Sequence, residues 1–201
     1  MPRLALNKSS LARESDQLRT FERFLPSLDL KRRQIVAERA KARDALGATR
    51  EEIEALARSV GSEIPMLSNE GVNLDDLVRV SAVELSHENV LGARLPVLAS
   101  QHVAVRDYAL LGNPTWVDRV AEVLVRVLEL RVRAQVEERR LALLDMAVQK
   151  ITQRVNLFEK VLIPRARSHI KRIQIHLSDA ERTGVVQAKI AKGKRKREAA
   201  L

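Results

Sequence analysis

The stretch LALLDMAVQKITQRVNLFEKVLIPRARSHIKRIQIHL, residues 141–177, decides how this chain folds. Leu141, Leu144, Val148, Ile151, Val155, Phe158 and Leu162 follow one another at alternating steps of three and four. That is the seam of a helix packed lengthwise on another helix. The stripe continues as Ala166, Ile170, Ile173, Leu177 and Ala180, but the steps from Leu162 to Ala166 to Ile170 are four and four. The heptad therefore slips where Pro164 sits, and such a slip locally unwinds a supercoil. A proline inside a helix removes an N–H and pushes its ring against the carbonyl four residues back, at a cost of roughly 3 kcal/mol. Slip and proline together offer a cause for a local bend, or simply relieve supercoil strain.

Working outward, Val117, Val120, Leu124, Val127 and Leu128 carry this helix back to about Trp116, with Thr115 of the GNPT turn as its N-cap. A second long seam lies near the other end. Counted in heptads from Leu18 it reads Leu18, Phe21, Leu25, Leu28, Arg32, Ile35, Arg39, Ala42, Leu46, Thr49, Ile53, Leu56 and Val60, ten of the thirteen being apolar. Arg32 and Arg39 on that seam read as snorkelling side chains at a drifting stripe, or as a partner surface beside it. Between the helices, VGSEIPMLSNEGVN (60–73) carries Gly61, Pro65 and Gly71, which stop a helix. The Val- and Leu-rich segment that follows predicts a β-hairpin with strands near 78–85 and 90–98 and its turn at SHEN (86–89).

Helix, reversal, helix predicts a mainly α fold: a long antiparallel two-helix coiled coil of the N- and C-terminal helices, with a short middle segment holding the hairpin. The expected division is 1–60 for the first coiled-coil helix, 61–115 for the middle and 116–201 for the second helix with its basic tail. If Val60 and Val120 are neighbours, paired positions sum to about 180. Leu11 then falls near His169, and the segment KIAKGKRKR (189–197) extends past its partner.

Composition agrees. Of 201 residues only five are aromatic, while 45% are hydrophobic and 31% charged. Narrow coiled-coil seams favour that mixture, whereas globular cores rely on wide rings. No cysteine is present, which leaves no disulfide frame and no thiolate chemistry. The first residues lack the apolar core of a signal peptide, and no uncharged run has the length to span a bilayer. The net charge of +10 is split into +6 over 1–50, −6 over 51–116 and +10 over 117–201.

The sequence contains no Gly-rich phosphate loop, GxSxG or HExxH motif. His87 and His102 stand apart; His169 and His176 share a helix face two turns apart, too far for one metal. Glu137–Glu138 and Asp75–Asp76 read as solvated carboxylates. No catalytic, cofactor or metal site is expected, and the chain is not read as an enzyme by itself. The basic tail, Lys189, Lys192, Lys194, Arg195, Lys196 and Arg197, has three readings: a solvated tail, a nucleic-acid contact through phosphates, or docking on an acidic protein surface. Aromatics for base stacking are scarce.

The C-terminal helix resembles the D subunit of the V/A-type rotary ATPases. The resemblance rests on Arg154, Val155, Asn156 and Glu159, then Ile163–Pro164, then Glu181–Arg182 followed by Lys189 and Lys192. ENVLGARLP is similar to that family's middle motif at Asn89, Gly92 and Pro96, and LDLKRRQI to its first-helix motif at Leu28, Lys31 and Arg33. Pro26 precedes the last of these, where a proline kinks or restarts a helix. The resemblance implies a non-catalytic central rotor shaft. Its partners would be the A/B catalytic hexamer, the F subunit and the funnel-shaped subunit on the membrane ring. It would have no cofactor of its own, would bind no nucleic acid and would lie peripherally at the cytoplasmic face of the membrane. The basic tip, from Lys189 to Arg197, would face the hexamer. The alternative is a basic coiled-coil protein that binds nucleic acid or acts as a scaffold. An F-type central stalk is disfavoured, because residues 61–115 are too few for that family's large inserted domain.

Overall fold

The computed structural model describes residues 4–63, 74, 76–107, 114 and 116–198. Helix α1 spans Lys8–Glu63, strands β1 and β2 span Val78–Val90 and Ala93–Val105, helix α2 spans Trp116–Asn156, a π-helical turn covers Leu157–Leu162, and helix α3 spans Ile163–Glu198. The protein is mainly helical, with long helices in its N- and C-terminal regions and a two-stranded antiparallel sheet between them. The chain forms two compact units, one of Met1–Leu30 with Ile151–Leu201 and the other of Lys31–Lys150.

Asn7 starts α1. Its side-chain Oδ1 accepts the Ser10 backbone N–H at 2.7 Å, and its carbonyl accepts the Leu11 N–H at 3.0 Å. This satisfies donors that a helix start otherwise leaves open. Pro26 lies inside α1 but does not restart it: the helix runs on to Glu63. Packing along the seam outweighs the hydrogen bond lost to the Glu22 carbonyl. The helix also passes Gly61, two residues beyond which the described part of the reversal ends; 64–73 and the proposed cap Thr115 lie outside the described residues.

In the unit Lys31–Lys150, Ile35, Ala42, Leu46 and Thr49 of α1 are buried, as are Val120, Leu130, Ala134 and Leu144 of α2. Salt bridges between the helices fix their antiparallel sense: Arg39 with Asp145 at 3.4 Å, Arg50 with Glu138 at 2.7 Å and Arg126 with Glu52 at 3.8 Å. Arg39, one of the two seam cations, is therefore half-buried and paired across the coil. At the foot of the hairpin, Leu77, Val117 and Ala121 make a small core, with Trp116 packed against it.

The hairpin is longer than expected and turns elsewhere. Its strands run through SHEN, and the chain reverses at Leu91–Gly92, with φ of +54° and +87°. Positive φ at both central residues is the two-residue turn that matches strand twist. Leucine rarely takes that conformation, which hides the turn from a sequence reading. The polar residues of SHEN mark a strand exposed on both faces, not a reversal: Ser86 is paired with Val97 and Glu88 with Leu95. Ser81 and Ala99 fall outside the one-to-one pairing, as β-bulges.

In the other unit, Ile151, Val155, Ile163, Ala166 and Ile173 are buried. Phe21 meets Phe158 edge to face, with centroids 5.5 Å apart. Arg167 pairs with Glu22 at 2.7 Å, and His169 Nδ1 lies 3.3 Å from Glu14 Oε2. Leu11, expected near His169, instead lines a shallow groove with Gln174 and Leu177. One step of this offset comes from the extra residue that the π-turn contains.

That turn explains the slipped heptad. The Ile163 N–H reaches back five residues to the Phe158 carbonyl. Such a turn takes up one more residue than an α-turn. The buried stripe passes from Leu162, half-buried, to its neighbour Ile163, buried, and resumes strict alternation as Ile163, Ala166, Ile170, Ile173 and Leu177. The slip is thus concentrated in one wide turn, not spread as supercoil unwinding. Pro164 follows directly, next to a widened turn of the kind that relieves the clash of a proline ring with the carbonyl four residues back. Deleting exposed Val161 brings Ile163 onto a continuous heptad but forces Pro164 into an ordinary helix interior. The deletion should lower stability by about 3 kcal/mol, measured by urea unfolding. Adding Pro164→Ala should recover most of that loss, and Pro164→Ala alone should change little. A deletion as stable as the parent chain would show that the wide turn does not accommodate the proline.

Candidate docking surfaces

The residues on which the sequence resemblance rests fall at several places. In the middle motif, Asn89 Oδ1 accepts the Gly92 N–H at 2.9 Å and ties the hairpin turn. A Cβ placed on Gly92 would lie 3.5 Å from Lys31 Nζ, so the lysine of α1 covers this turn. Lys31, distant in sequence, thus comes close to the Asn89–Gly92 turn at the hairpin tip. Pro96 is buried on β2, and Arg33 is exposed on α1. Arg140 of α2 pairs with Glu88 at 3.0 Å, close to the same turn.

The C-terminal motif residues do not converge on a pocket. Arg154 is exposed and Asn156 half-buried at the end of α2; Glu159 is exposed in the π-turn, and Pro164 is exposed after it. Glu181 lines the shallow groove with Lys8 and Leu11, and Arg182 is exposed. Lys189, Lys192, Lys194 and Arg195 are all exposed on α3. The backbone of Lys196 and Arg197 continues that helix, and their side chains lie outside the described residues. Val185, Val186 and Ile190 are more than half exposed on the same helix. This stretch is basic and partly apolar, and it has no cover among the described residues.

One side chain departs from expectation. Glu137 is mostly buried, accepts the Arg133 Nε–H at 3.1 Å and leaves its Oε2 without a partner, so it is not a solvated carboxylate. Its neighbour Glu138 is engaged by Arg50. Of the other carboxylate pair, Asp76 is exposed and Asp75 lies outside the described residues. His87, His102 and His176 are exposed at separate places.

Sequence reasoning did not anticipate the grooves beside the hairpin. One, of about 500 Å³, is lined by Ala42 and Ala45 of α1, Val97 and Leu98 of β2 and Val136 of α2. The other, of about 610 Å³, lies between β1 and α2. The small alanines at 42 and 45 and both strands were visible in the sequence, but how the strands lie against the helices was not. Among the described residues no His, Asp or Glu cluster has the arrangement of a metal site, and no helix is long and apolar enough to cross a membrane.

A family model for the D subunit of ATP synthase matches residues 10–193. The D subunit of the V-type ATP synthase of Borreliella burgdorferi is 33% identical over 192 residues, covering 96% of this chain and 95% of that protein. The proteins of the same name from Chlamydia abortus and Chlamydia caviae are 32% and 31% identical, over 94% and 95% of this chain and 92% and 93% of their own. The likeness runs from the first turns of α1 to the basic end of α3, across both seams and the hairpin. The chain belongs to the ATP synthase D-subunit family and is a component of a rotary ATP synthase.

Proposed function

We propose that this chain is the central rotor shaft of a V/A-type ATP synthase or ATPase. It transmits torque between the A/B hexamer, where ATP is made or hydrolysed, and the ion-translocating membrane ring. The observation that carries this reading is the family match over nearly the whole chain, joined to end helices paired along aliphatic seams. Paired helices resist bending and twisting more than one helix does, as torque transfer demands. The chain does no chemistry itself; the nucleotide sites belong to the hexamer. It sits peripherally at the cytoplasmic face of the membrane and reaches the ring through the funnel-shaped subunit, with the F subunit as a further partner. Functionally the chain divides as 1–60 and 116–201, the two shaft helices, and 61–115, the middle segment outside the hexamer.

The absence of cysteine makes a direct test practical, because one introduced thiol is labelled alone. Ala82→Cys, on an exposed strand position, carries a bead while the chain is assembled with an immobilised A/B hexamer. Addition of ATP should turn the bead in one direction. ATP hydrolysis at the normal rate with a stationary bead would refute the shaft assignment.

The exposed basic end of α3 is assigned to the hexamer bore, where long-range attraction to acidic walls favours docking and salt weakens it. Truncation after Gln187 should make retention of the chain in the hexamer more salt-sensitive while binding of the F subunit persists. Equal retention at every ionic strength would remove the tail from assembly. Loss of the F subunit instead would show that the two ends of the shaft are assigned the wrong way round.

A further inference from the structure

The groove between β1 and α2 has the chemistry of a docking site. On α2, Leu128, Val132 and Val136 form one row at four-residue steps, and Arg131, Gln135 and Arg139 form the adjacent row. The first row is half-buried and faces the hairpin; the second is exposed. Across from them stand Val83, 41% exposed, and Leu85, 50% exposed, on β1. In a regular strand Val80 and Val83 would point to opposite faces. The bulge at Ser81 brings both onto the groove. The hairpin is thus built to present an apolar wall here, and apolar patches with polar rims mark interaction sites.

The rim is charged in one sense. Arg119, Arg126, Arg133 and Arg140 of α2 each meet a carboxylate. Arg131 and Arg139 meet none among the described residues. They stand eight residues apart on one face, about 12 Å along the axis. Two charges spaced this way along an apolar groove suit a pair of carboxylates better than one small anion. A helix supplies such a pair, with two acidic side chains two turns apart beside an apolar stripe that fills the groove.

We infer that this groove docks an acidic amphipathic helix of a partner protein, its apolar face against Val83, Leu85 and Val132 and its carboxylates on Arg131 and Arg139. The inference rests on the reading of this chain as one component of a larger complex, which supplies the partner. The groove can be tested without that complex, so its failure leaves the rotation assay untouched.

The probes are two labelled helical peptides of about 18 residues, five turns, with leucines along one face. One carries glutamates seven residues apart beside the leucines, the other lysines at the same places. Anisotropy titrations with the full chain should favour the glutamate peptide by about tenfold, the effect of two exposed ion pairs. Arg131→Glu with Arg139→Glu should reverse the order, and Val83→Asp with Leu85→Asp should weaken both peptides. A control chain with Arg165→Glu and Arg172→Glu on α3 has the same change in net charge and should behave as the parent. Circular dichroism confirms that each variant is folded. Equal affinity for the two peptides, or an equal effect of the control reversal, would reduce the site to diffuse charge. Self-association of the chain that the Val83→Asp/Leu85→Asp pair abolishes would assign the groove to a second copy and overturn the inference.

Discussion

The long aliphatic seams are the constraint on which the structure depends. An isolated helix of α1's sequence, rich in Arg and Glu and interrupted by Pro26, has little to hold it in water. Burial against a second helix changes that balance. Ile35, Leu46, Leu144 and Ile173 lose nearly all their exposure, each contributing about 1.5–3 kcal/mol of transfer free energy. The exposed salt bridges add little energy, roughly 0–1 kcal/mol apiece, but they select the antiparallel register.

Much of this could be read from the residues because a seam repeats. All thirteen heptad positions from Leu18 to Val60 are buried or half-buried, including Arg32, Arg39 and Thr49. Repetition lets many weak preferences agree, so a few polar intrusions do not hide the pattern. The slip at Pro164 was also visible as arithmetic, since three successive steps of four contain one residue too many. Its form as a π-turn was not visible, because a wide turn and gradual unwinding leave the same spacing in the sequence.

The hairpin was legible in kind but not in detail. Its turn depends on Leu91 in a left-handed conformation, supported by Asn89 and covered by Lys31, contacts made by residues far apart in the chain. The groove beside it was hidden for a related reason. Val80, Val83 and Leu85 do not share a face in a regular strand, and only the bulge brings them together. Glu137 was misread because its cover comes from its own helix partner Arg133 and from the packing around it. Asn89 and Gly92 are joined by a hydrogen bond in the hairpin turn, and Lys31 of the first helix comes close to the same turn.

The central claim is that one chain's two end segments pair with each other, antiparallel, along both seams. Nitroxide labels on two cysteine pairs test it, Glu22 with Arg167 in one unit and Arg50 with Glu138 in the other, each pair joined by a 2.7 Å contact in the structure. Helix axes in such coils lie about 8–10 Å apart, so both pairs should show strong dipolar broadening. The broadening should persist when labelled chains are diluted with unlabelled ones before refolding. Absence of broadening in either pair, or its loss on dilution, would mean that the helices pair in another register or between chains, and would contradict the account.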